Sequence, residues 1–118
     1  MIHCDLQANA SEEEIFAAIQ RFPTRALQMV RKQTEAMCLA AVRIDGLALV
    51  AVQKQTDAIC HAAVKQCSAA FFLVDNQTTT ICLEAVNQDG MQLRYVDEKT
   101  QEICDAAVKQ NPEAILYI

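Results

Sequence analysis

Apolar residues in this chain fall in short clusters that return at a constant interval. Ile59, Cys60, Ala63 and Val64 are spaced as one stripe of an amphipathic helix, and Ala48, Leu49 and Val52 repeat the theme in a second, shorter segment. The alternation that a half-buried strand would need is missing. Thr34-Glu-Ala-Met-Cys-Leu-Ala-Ala-Val42 returns as Thr56-Asp-Ala-Ile-Cys-His-Ala-Ala-Val64, Thr78-Thr-Thr-Ile-Cys-Leu-Glu-Ala-Val86 and Thr100-Gln-Glu-Ile-Cys-Asp-Ala-Ala-Val108. An N-terminal segment, residues 1–10, precedes copies that begin at 11, 34, 56, 78 and 100, so the register is 23 residues and then 22 throughout. The first copy is degenerate, with its extra residue expected in a turn.

Glycine and proline agree with this division. Pro23, Gly46, Gly90 and Pro112 all stand thirteen residues into a copy, where the third copy has Ser68. Each copy therefore divides into a first helix of about ten residues, a tight turn, and a second helix of about eight. Ser11 and the four threonines sit where an N-cap belongs, and Ser11 with Glu14 has capping-box spacing. Helices this short are marginal alone, so stability must come from stacking copy on copy. The expected architecture is all-α: a single domain over 1–118, a short superhelical α-solenoid of five two-helix repeats. A leucine-rich repeat has a similar period, but its Leu-x-Leu strand and asparagine ladder are absent.

The cysteines follow the same period. Cys38, Cys60, Cys82 and Cys104 occupy one packing slot, and equivalent slots lie about 8–10 Å apart, too far for a disulfide. They are expected to be buried free thiols, which fits a reducing cytoplasm. Cys4 and Cys67 lie outside the slot and are the expected exposed thiols. From Met1 there is no basic and then apolar leader, and no run is long enough to cross a membrane.

Little here points to chemistry. Neither His3 nor His61 is placed beside a nucleophile, a linear stack cannot bring the slot cysteines around one metal ion, and two glycines in separate turns make no phosphate loop. No catalytic residue, metal or cofactor is expected. A formal charge of -5 disfavours nucleic acid and favours a basic partner.

The Thr-x-x-Ile-Cys-x-Ala-Ala-Val and Gly-x-x-Leu spacing over residues 11–118 resembles a family of bacterial helical-repeat domains of unassigned function. The resemblance implies a bacterial source and an all-helical fold, and brings no site residue with it.

Solenoids recognise partners through their variable positions. In the second helix one such series reads Gln28, Val50, Phe72, Arg94, Leu116 and should be exposed, and the next reads Met29, Ala51, Leu73, Tyr95, Tyr117 and should lean to the core. Candidate partner-binding residues are Val50, Phe72, Arg94, Tyr95, Leu116 and Tyr117, together with the acidic Asp75, Asp97 and Glu98. The expected role is protein–protein interaction: an immunity protein or antitoxin that covers a basic toxin such as a nuclease. The alternatives are an adaptor or structural repeat that self-associates, with a homodimer through the apolar Ile115-Leu116-Tyr117-Ile118 end, and then a nucleic-acid-binding helical array.

Overall fold

A computed structural model describes residues 10–118, and every regular element among them is helical. The order is α1 (Glu12–Arg21), α2 (Pro23–Met29), α3 (Glu35–Ile44), η1 (Gly46–Ala51), α4 (Asp57–Gln66), η2 (Ser68–Leu73), α5 (Thr79–Gln88), η3 (Gly90–Tyr95), α6 (Gln101–Gln110) and η4 (Pro112–Tyr117). First helices pack on first helices and second on second, always between adjacent copies. The result is a two-layered rod of 54 × 21 × 21 Å, in which each of the five copies advances it by about one helix diameter.

Capping starts each first helix where the sequence places it. The hydroxyl of Thr34, Thr56, Thr78 or Thr100 accepts from the backbone N–H three residues on, at 3.2–3.3 Å. Ser11 accepts from Glu14 N–H while the Glu14 carboxylate accepts from Ser11 N–H, a complete capping box. The stripe inside is buried in columns. Ala41, Ala63, Ala85 and Ala107 are fully inaccessible, and Leu27, Leu49, Phe71 and Leu93 fill the space between layers. Each of those larger side chains contributes about 1.5–3 kcal/mol by burial.

The second helices differ from expectation in type, length and entry. Four of them are six-residue 3-10 helices, whose first bonds run from Ala48, Ala70, Gln92 and Ala114 N–H to the carbonyl three residues back. No multi-residue turn precedes them. One residue in extended backbone, Asp45, Cys67, Asp89 or Asn111, separates the two helices. The extra residue of the first copy lies inside its second helix, which is α-helical over seven residues, with Ala26 N–H bonding the carbonyl of Phe22 four back. Six residues at ~2.0 Å rise and seven at ~1.5 Å span about 12 and 10.5 Å, so both solutions cross nearly the same gap.

Glycine's role also differs. Neither glycine has positive φ. A Cβ on Gly46 would run into the backbone carbonyl of Ala63 in the next copy, and one on Gly90 into that of Ala107. This close approach lets Gly46 N–H donate to Gln66 Oε1 at 2.6 Å while Gln66 Nε2 donates to the Ile44 carbonyl at 3.2 Å. Gln110 clamps Gly90 N–H and the Gln88 carbonyl in the same way, at 2.6 and 3.2 Å.

A second set of glutamines ties each copy to the next. Gln33, Gln55 and Gln77, just before the capping threonines, donate to the carbonyls of Ala51, Leu73 and Tyr95 at 2.8 Å. Their Oε1 atoms accept from the N–H of Gln53, Asp75 and Asp97 at 2.9 Å. The slot cysteines are more than filler, because the Cys38 and Cys60 thiols donate to the same Oε1 atoms at 3.4 and 3.1 Å, and that of Cys82 at 3.9 Å. Lys99 stands where a fourth such glutamine would be and donates to the Val96 carbonyl.

Candidate interaction surfaces

The variable series of the second helices forms an open strip. Val50 is 62% exposed, Phe72 60% and Leu116 76%, and Gln28 and Arg94 are exposed as well. Of the following series, Met29, Ala51, Leu73 and Tyr117 are half-buried, whereas Tyr95, expected to lean inward, is 41% exposed. It turns out because the Phe72 ring lies 6.2 Å away, tilted by 41°, and the Arg94 guanidinium covers its face at 4.9 Å. Phe72, Arg94 and Tyr95 thus form one cluster across the third and fourth copies. Gln77 holds the Tyr95 carbonyl, so that bond also fixes the backbone beneath that cluster. Val50 continues the strip one copy earlier. Leu116 lies at the far end with Ile115 and Ile118, which are 62% and 66% exposed.

The acidic candidates gather elsewhere. Asp75, Asp97 and Glu98 line a depression of about 250 Å³ that spans the third to fifth copies, together with Gln77, Cys82 and Ile103. Phe72, Arg94 and Tyr95 take no part in its lining. Its acidic residues are held from the backbone, since Gln55 and Gln77 fix the Asp75 and Asp97 N–H groups. The field reaches the buried thiols. Burial first, then Asp57 and Asp75, pushes Cys60 up to about 11. Burial and Glu35 raise Cys38, and burial and Asp97 raise Cys82 against an opposing backbone hydrogen bond. Protonated thiols are poor nucleophiles, so these cysteines serve packing and hydrogen bonding near neutral pH.

Cys38, Cys60, Cys82 and Cys104 are free and buried, and Cys67 is half-buried. His3 and Cys4 lie outside the described residues. Among the described residues no three His, Cys, Asp or Glu side chains come together to hold a metal ion, and no helix is long and apolar enough to cross a membrane. His61 is half-buried, with Nε2 3.3 Å from Glu84. It lines a depression of about 540 Å³ with Leu39, Arg43 and Lys65, all from first helices.

Three features escaped the sequence reading: the two glutamine sets, the aspartate caps and the depression beside His61. Asp45 and Asp89 are half-buried. They cap the short helices, accepting from Leu47 and Met91 N–H at 3.0 and 3.1 Å. A signal for the clamp exists in the sequence: Gly46 with Gln66 and Gly90 with Gln110 are both pairs twenty residues apart.

Residues 80–118 match the model of a family described as a domain of unknown function (DUF4116), which covers most of the fourth copy and all of the fifth. No curated protein and no solved structure matches the chain.

Proposed function

We propose that this chain is a protein-binding module whose recognition surface is the strip along its second helices. The observation that carries the reading is the cluster of Phe72, Tyr95 and Arg94, exposed on a backbone that Gln77 pins from below. Large aromatic and arginine side chains dominate binding hot spots, and a rigid support reduces the entropy lost on docking. A finer assignment follows from charge. With a net charge of -5 and the Asp75, Asp97 and Glu98 depression across the third to fifth copies, the partner is a basic protein, and the role is steric neutralisation, as by an immunity protein or antitoxin.

The test is co-expression with the product of the adjacent gene. Stable co-purification, lost in Phe72→Ser/Tyr95→Ser and weakened about tenfold by Asp75→Asn/Asp97→Asn, together with protection from that product's toxicity, supports the reading. No complex, or a complex that both double variants leave intact, overturns it.

A further inference from the structure

The depression beside His61 belongs to the other layer of the rod, and its charge is opposite to that of the chain as a whole. Arg43 and Lys65 occupy the last turns of α3 and α4, and the same position carries Lys109 in the fifth copy, with Gln20 in the first and Asn87 in the fourth. Helix dipoles favour cations there, which accounts for each one singly. It does not account for their being left without carboxylates in a chain that has 15 acidic residues: among the described residues no ion pair engages Arg43, Lys65 or Lys109. Between Arg43 and Lys65 the surface is concave and aliphatic, formed by Leu39, Ala58 and Ala62, with His61 at its side.

From this arrangement we propose that the first-helix face is a second interaction surface, which takes an acidic amphipathic α-helix of a partner protein. The argument is charge complementarity plus spacing. Arg43 and Lys65 stand on adjacent copies of a rod 54 Å long built of five, an interval of about two turns of an α-helix, ~10.8 Å. A helix lying along the column meets them with carboxylates seven residues apart, and an aliphatic side chain between two such carboxylates enters the hollow. Nucleic acid fits less well. The hollow offers no Phe, Tyr or Trp face on which a base can stack, and its surface between the cations is aliphatic.

The test uses the full chain and a labelled 21-residue helical peptide with glutamate at every seventh position and leucine between, followed by fluorescence anisotropy at 20 and 300 mM salt. Binding is expected at low salt, weakened at least tenfold at 300 mM, and weakened at least tenfold by Arg43→Glu/Lys65→Glu, whose exposed positions leave the helical circular dichroism and its melting unchanged. Phe72→Ser/Tyr95→Ser should leave peptide binding as it was, so failure here and failure of the strip are read separately. Absence of binding, indifference to the double charge reversal, or tighter binding of a single-stranded oligouridylate each overturns the proposal.

Discussion

The joint between the second and third copies and the joint between the third and fourth are built from the same repeat, yet they are held differently. In the first, Asp45 caps the short helix, Gly46 lets the next copy come close, and Gln66 clamps Gly46 N–H and the Ile44 carbonyl. In the second, Cys67 provides no side-chain cap and Ser68 replaces glycine. Gln88 is available at the corresponding position, but it donates to the Lys65 carbonyl and to its own helix's Glu84. The joint between the fourth and fifth copies, with Asp89, Gly90 and Gln110, restores the first pattern. Glycine is therefore a condition of the clamp and not a device for turning the chain. The joint without it also carries the Phe72 and Tyr95 ring contact and the Gln77 bonds to Tyr95 and Asp97, so it is held on the side of the recognition residues.

Substitutions sort the two joints by size of effect. Gly46→Ala drives a methyl against the Ala63 carbonyl and removes the clamp, and should cost about 3 kcal/mol in urea unfolding, whereas Ser68→Ala should stay within about 0.5 kcal/mol. Equal costs at the two positions would end the comparison. Next comes Gln55→Ala, which strips partners from the Leu73 carbonyl, the Asp75 N–H and the Cys60 thiol and should cost about 2 kcal/mol wherever the joints are strong or weak. Grafting the strong joint onto the weak one with Cys67→Asp/Ser68→Gly should stabilise by about 1 kcal/mol through the new cap. In that background Gln88→Ala should become costly, while in the parent it is close to neutral. A double-mutant cycle measures that coupling.

The smallest effect near neutrality is that of pH. Cys60 loses its proton at about 11 in the folded chain but near 9 when unfolded, and Cys38 and Cys82 are shifted in the same direction. Between those values the folded state binds more protons, so unfolding becomes easier as pH rises from 9 to 11 and is unaffected by these groups below 9. Cys60→Ser should flatten that decline in chemical denaturation, and a flat profile in the parent chain would contradict it.

Much of the fold could be read from the residues because a repeated sequence states each rule several times. The threonine caps, the alanine and leucine columns and the two-helix unit all follow from local propensity and periodic burial. What stayed hidden was set by contacts between copies. The 3-10 geometry answers to the length of the gap to be crossed, which no single copy reveals. Glycine was misjudged for a related reason: its usual value lies in its own φ, and here it lies in the Ala63 and Ala107 backbone of the following copy. Exposure of Val50, Phe72 and Arg94 was legible from the mixture of residue types at their position. Tyr95 was not, because an apolar series suggested core and only Arg94 and Phe72 together give its ring a place at the surface.

Three residues per turn make each short helix a three-sided prism in which side chains three apart stand directly above one another. Two sides are turned inward, Gly46 with Leu49 and Ala48 with the half-buried Ala51, and the third, Leu47 and Val50, is left over. The second, third and fifth copies thus each expose a pair of stacked letters, Leu47 with Val50, Ala69 with Phe72 and Glu113 with Leu116, that can be rewritten without disturbing the other two sides. Duplication of a copy would lengthen this text by one pair, and substitution within a pair would change its meaning while the spine beneath stayed the same.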